Sequence, residues 1–91
     1  MTRRVYAVVT GRVQNVGFRY WALHRAEAQG LSGWVRNAAD SRRVEIEVQG
    51  DDVAVADLVR CLHEGPPSAR VTAVALEERT VDPAATDFQV R

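Results

Sequence analysis

The sequence predicts an α+β fold in which two helices cover one face of an antiparallel sheet, in the order strand, helix, strand, strand, helix, strand. Three observations carry that prediction. The segment VEIEVQ (44 to 49) alternates apolar and polar residues, the pattern of a strand with one buried and one wet face. Two segments, one from Phe18 and one from the Asp51–Asp52 pair, repeat their apolar residues at helical spacing. Glycines and prolines fall between these periodic stretches and not within them.

The elements follow in order. RVYAVVT (4 to 10) is β-branched and aromatic, which suits a strand buried on at least one face, and Gly11 marks the start of a loop. Phe18, Ala22 and Ala26 define a helix over 18 to 29, with Gly30 placed to end it in the left-handed conformation. GWVRN (33 to 37) reads as a second strand, AADSR as a turn and VEIEVQ as the strand that completes a hairpin. Asp51 and Asp52 can cap a second helix whose stripe is Val55, Leu58, Val59 and Leu62, stopped by Gly65, Pro66 and Pro67. RVTAVALE (70 to 77) is a fourth strand, DPAAT (82 to 86) a loop and FQV (88 to 90) a short closing strand. This is the split βαβ order of a ferredoxin-like sandwich (βαββαβ), a fold that hosts many functions and decides none of them.

Ninety-one residues support one core, so a single domain spanning residues 1–91 is expected. Apolar residues at 46% and charged residues at 26% are ordinary for a folded domain. Twelve basic and twelve acidic side chains cancel, so no molecule-wide field draws the chain to nucleic acid or to an anionic membrane; any anion site must be local. The lone Cys61 has no intrachain disulfide partner, which fits a reducing compartment. The apolar run near the N-terminus is too short for a secretion signal or a membrane span, and a mature cytoplasmic chain is expected.

The stretch GRVQNVGFR (11 to 19) joins a strand to a helix, so its backbone N–H groups can curl inward near the positive end of the helix dipole. Arg19 falls in the first helical turn, where its fork of donors can grip two oxygens of an anion at once. On the residues alone, a glycine-containing connection with a solvated arginine is the commoner reading. The loop lacks the lysine and hydroxyl of an ATP-binding loop and the three-glycine spacing of a dinucleotide site. It also holds no Cys, Ser, Thr, His or Asp, so a phosphoenzyme formed on it has no chemical support and water would be the nucleophile.

GRVQNVGFR resembles the acylphosphatase signature, usually G-x-V-Q-G-V-x-F-R, with one mismatch: Asn15 stands where the family has glycine. Asparagine tolerates a positive φ better than most residues, so the loop can keep its shape. GWVRN resembles the family's second signature and ends in its catalytic asparagine, here Asn37; VEIEVQG, GPPSARV and FQVR extend the likeness over essentially the whole chain. In AADSRRV the family has glycine at the position of Ser41 and one residue fewer before the valine, a difference in the turn. The resemblance implies a metal-free, cofactor-free hydrolase of acyl phosphates. Gln14, Asn15, Val16, Gly17, Phe18 and Arg19 would bind the phosphoryl group, Arg19 and Asn37 would be catalytic, and Asn37 would position water. It further implies inhibition by inorganic phosphate, no nucleic-acid or membrane partner, and a monomer.

The other candidates have plainer readings. His24 and His63 are far apart, and no cysteine or carboxylate pair sits at metal-ligand spacing with them. Cys61 reads as a small apolar side chain on the second helix, Trp21 and Trp34 as packing residues, and Arg42 with Arg43 as the solvated tip of a turn. Two alternatives carry different expectations. A non-catalytic ferredoxin-like module binding RNA or another ligand would carry aromatics on the central strands, where VEIEVQ places carboxylates. An acylphosphatase-like domain serving carbamoyl phosphate within a larger maturation enzyme would be followed by further domains, and the end at Arg91 favours the free-standing form.

Overall fold

The computed structural model describes residues 1–91. Its elements are β1 (Thr2–Arg12), α1 (Phe18–Ala28), β2 (Ser32–Asn37), β3 (Arg43–Asp51), α2 (Asp52–Leu62), β4 (Arg70–Arg79) and β5 (Phe88–Val90). Each expected element is present. The strands run longer than the sequence pattern indicates, because a ladder continues wherever its neighbour still offers partners. Gly11, expected to open the loop, is still in β1 and opposite Val71, past a bulge between Thr10 and Gly11. A side chain there would overlap the Arg70 carbonyl oxygen, so glycine serves close strand approach at this position.

Helix α1 stops one residue early, at Ala28. Gly30 follows with φ 69, and the N–H groups of Gly30 and Leu31 donate to the carbonyls of Glu27 and Ala26, which closes the last turn in a Schellman arrangement. At the start of α2, the Asp51 carboxylate accepts the Val53 N–H at 3.2 Å, the expected cap.

The five strands form one sheet in the order β4-β1-β3-β2-β5. The four long strands pair antiparallel, and β3 lies between β1 and β2, so β1 and β2 run parallel without touching. The sheet is not wholly antiparallel: β5 pairs parallel with β2, because the loop after β4 carries the chain across the sheet before it enters the edge. Both helices cover one face. Val5, Ala7 and Val9 of β1, Val44, Ile46 and Val48 of β3 and Val35 of β2 meet Phe18, Ala22 and Ala26 of α1 and Val55, Leu58 and Leu62 of α2 in one core. The two small alanines let α1 sit close to the sheet. Val59, the fourth residue of the α2 stripe, is only partly buried at the core's edge.

The opposite face is less wet than alternation implies. Glu45 and Glu47 are half-buried, and Gln49 is buried, a correction to its expected exposure. The loop after β4 folds over Gln49: its amide donates to the Asp82 carbonyl at 2.8 Å while its own carbonyl accepts the Asp82 N–H at 2.7 Å. Arg4, also buried, donates to Glu47 at 2.6 Å and to Gln49 at 3.1 Å, so no charge is left without a partner. Tyr6 and Arg36 both donate to Glu45 Oε1, at 2.8 and 3.0 Å.

The Arg36 hydrogen bond, helped by that of Tyr6, holds the Glu45 carboxyl below its ordinary value of 4.5. Burial and the hydrogen bond to Glu45 raise the Tyr6 phenol above 10.0. A depressed carboxyl stabilises the fold above its unfolded-state pKa and loses that contribution as pH falls through its folded-state value; a raised phenol loses its contribution as pH climbs past 10.0. Urea midpoints measured at pH 7 and pH 3.5 should therefore differ less in Glu45→Gln than in the native chain. Equal differences in the two would show that this carboxylate does not set the acid limit.

Candidate active site

The connection between β1 and α1 is pinned at both ends. Val13 and Phe18 are buried in the core, so the four residues between them must curl out and back within a short span. They do so with two left-handed residues, Asn15 at φ 61 and Gly17 at φ 77. Asparagine meets the same backbone demand as the signature's glycine. At Gly17 there is free space for a side chain, so the backbone conformation and not crowding is what requires glycine.

The curl leaves donors unused. The first helical hydrogen bond runs from Trp21 N–H to the Gly17 carbonyl at 3.0 Å, Gly17 supplies no side-chain cap, and no acceptor in the chain takes the N–H groups of residues 15 to 20. Six consecutive amides at a helix start form a concentration of positive potential. No acidic residue stands in the first turn of α1 to oppose an anion there.

Arg19 adds a full charge. Its Nη1 donates to the Arg91 main-chain oxygen at 2.9 Å, while the Arg91 N–H donates to the Val35 carbonyl at 2.8 Å. The guanidinium is thus steered by the strand edge beside β2, and it pairs with no side-chain carboxylate. This contact occupies one of the guanidinium's donors, so the remaining donors stay available to an anion.

Asn37 is the last residue of β2 and lies on the same face as Val35, toward the helices. It joins Val13, Asn15, Gly17, Phe18, Arg19 and Tyr20 in lining a cavity of about 80 Å³. A water molecule occupies about 30 Å³ in the liquid, so this space suits one phosphoryl group with a water beside it. Two segments eighteen positions apart in sequence are brought to one hole by the crossover that places β1 and β2 parallel, with α1 above them.

The Gln14 side chain has a structural task beside the substrate contact expected of this residue. Its side-chain amide nitrogen lies 2.7 to 3.2 Å from the carbonyls of Ala38, Asp40 and Arg43, and its side chain does not line the cavity. It clasps the turn that follows Asn37 to the curl. Val16, likewise expected at the substrate, packs against the core and is absent from the lining. Tyr20 and Val13 line the cavity without having been singled out; the signature spacing marks Val13, and nothing local marks Tyr20.

The remaining candidates are placed apart. His24 and His63 are exposed on different helices, and one ring nitrogen of His63 sits 3.1 Å from the Val59 carbonyl. Cys61 is a free, half-buried thiol on α2. Trp21 packs on Phe18 at 5.2 Å between ring centres. Trp34 stands 6.3 Å from Tyr6 on the open sheet face, where Arg36 and Arg91 cover its ring and Arg79 covers Tyr6. Those aromatics are capped by guanidiniums and flanked by Glu45 and Glu47, a poor platform for bases. Arg43 begins β3 and pairs with Asp40, and Arg42 is exposed. A larger, open depression of about 540 Å³ borders α2, but its two arginines are taken, Arg3 by Glu78 and Arg60 by Asp57, so it offers no free cation.

Fold and cavity together define a ferredoxin-like protein with a strand-to-helix anion cradle and a carboxamide at its rim. The acylphosphatase family model matches residues 5–90. An acylphosphatase of Rubrobacter xylanophilus is 51% identical over 90 residues, covering 99% of this chain and 81% of that protein. Among solved structures, an acylphosphatase from Coxiella burnetii superposes with a TM-score of 0.92 at 37% identity, covering 99% of this chain and 93% of that one. The crystal structure of the Bacillus subtilis acylphosphatase gives 0.91 at 34% identity, with 100% and 99% covered. The chain belongs to the acylphosphatase family, and acyl phosphate hydrolysis is its activity.

The Gln14 clasp has a testable consequence. Gln14→Ala leaves three carbonyls of the turn without that donor, and loss of such a bond costs about 1 to 3 kcal/mol. Thermal unfolding should come roughly 5 °C earlier or more. An unchanged midpoint would show that the turn holds without it.

Proposed function

We propose that the chain hydrolyses the carboxyl–phosphate bond by in-line attack of a water that Asn37 positions on a phosphoryl group held by Arg19 and the amides of the curl. The observation that carries this reading is the convergence of a guanidinium free of side-chain carboxylates, six unused amides and one carboxamide on a single small cavity. An acyl phosphate is a mixed anhydride whose leaving group departs as a carboxylate, which needs little protonation at neutral pH. Such a substrate asks for charge stabilisation and alignment more than for a strong acid.

Each group then has a role its chemistry permits. Arg19 holds two equatorial oxygens and offsets the charge that builds there. The curl amides of residues 14 to 19, Asn15 to Arg19 among them, complete the cradle as fixed dipoles. The Asn37 carboxamide oxygen accepts a hydrogen bond from the water and aims the water's lone pair at phosphorus without acting as a base. No carboxylate or imidazole lines the cavity, so the bound phosphate itself accepts the proton as the new P–O bond forms and the bond to the acyl oxygen breaks.

Inorganic phosphate, sharing the cradle, acts as a competitive product inhibitor. The reading requires neither metal nor cofactor. The chain works as a single acylphosphatase-like unit over residues 1–91, as a cytoplasmic monomer.

Benzoyl phosphate hydrolysis in EDTA tests the assignment. Arg19→Ala should weaken phosphate inhibition and lower kcat/KM by about a thousandfold. Asn37→Ala should keep phosphate inhibition while kcat falls by roughly 10²- to 10³-fold, the scale of losing one oriented group. Near-native turnover in Asn37→Ala would end the water-positioning role.

A further inference from the structure

The cavity has room for the phosphoryl group and a water but not for the acyl part of a substrate, which must lie at its mouth. Of the apolar side chains lining it, Val13 and Phe18 are buried in the core and unavailable to a ligand that stays outside. Tyr20 remains. It is 58% exposed, on the first turn of α1 next to Arg19. Successive helical residues diverge by about 100°, so its ring stands beside the cradle without blocking it.

Tyr20 is also the one aromatic residue without a place in the packing. Tyr6 and Trp34 face each other under arginines, Trp21 packs on Phe18 and carries Arg25, and Phe88 is buried in the core. The Tyr20 ring meets no aromatic or guanidinium partner, and its hydroxyl makes no hydrogen bond within the chain. A large ring left in water at the rim of a small polar cavity has unspent apolar area where the acyl group must emerge.

We infer that Tyr20 is the platform for the acyl group and makes the site favour acyl phosphates whose acyl part presents a flat, apolar or aromatic surface. The inference rests on the cradle being the phosphoryl site. Val13 and Phe18 shape the phosphoryl end, and Tyr20 sets the preference at the leaving-group end through ring area, not through its hydroxyl.

Steady-state kinetics of the full chain on benzoyl phosphate and acetyl phosphate, with inorganic phosphate as inhibitor, test this in the native form, Tyr20→Phe and Tyr20→Ala. The kcat/KM ratio of benzoyl to acetyl phosphate should fall about five- to tenfold in Tyr20→Ala, mostly through KM, and be kept in Tyr20→Phe. Phosphate inhibition constants should agree among the three, which separates acyl recognition from the cradle. A native ratio in Tyr20→Ala overturns the platform, and so does a loss in Tyr20→Phe equal to that in Tyr20→Ala. If the native chain hydrolyses neither substrate, or phosphate does not inhibit it, the phosphoryl assignment fails first and the platform falls with it.

Discussion

The burial of Val13 and Phe18 on either side of four residues is the constraint from which the site follows. Removing side chains of this size from water is worth about 1.5 to 3 kcal/mol each, so the ends of the connection are fixed by the core and not by a ligand. Between fixed ends the chain must reverse tightly. Asn15 and Gly17 supply the left-handed conformations that allow it, and the helix starts with its first amides unspent. The anion cradle is thus a by-product of how the core closes, and it is organised before any substrate arrives, which lowers the cost of binding.

The charges of the molecule divide between structure and chemistry. On the open sheet face Arg4, Arg36 and Arg79 are matched by Glu47, Glu45 and Glu77, several of them partly shielded from water. Those arginines stack on rings and orient strands, and their fields largely cancel. Arg19 lies across the sheet from this network, and no side-chain carboxylate pairs with it. A chain with no net charge can still present a local positive point, where a first-turn guanidinium stands beside unused amides and no acidic residue shares that turn.

Such a site suits an activated substrate. On the proposed reading, a mixed anhydride already has a good leaving group, so a cradle, one guanidinium and one oriented water meet the demands of the reaction. Neither the curl nor the cavity supplies a nucleophilic side chain or a base. The fold provides rigidity instead: Asn37 ends a strand paired with β3 along its length and with β5 over Gly33 to Val35, and Gln14 ties the turn beyond it to the curl. Misplacing an aligning group by about 1 Å can cost a hundredfold in rate, which gives the Gln14 clasp its importance.

Periodicity and spacing alone determined the element order, the buried faces of β3 and α2, the helix stop at Gly30 and the cap at Asp51, because each is fixed by residues a few positions apart, while the family resemblance marked the two signatures holding Arg19 and Asn37. Only the tertiary structure decided the rest. Gln49 looked wet until a loop thirty-three positions away folded over it. Gln14 looked like a ligand contact until its amide was found on the far turn, and Tyr20 gained meaning only once every other ring had found a partner. Those outcomes depend on which distant segments meet, and side-chain direction across such a junction is set by packing and competing hydrogen bonds that no local pattern encodes.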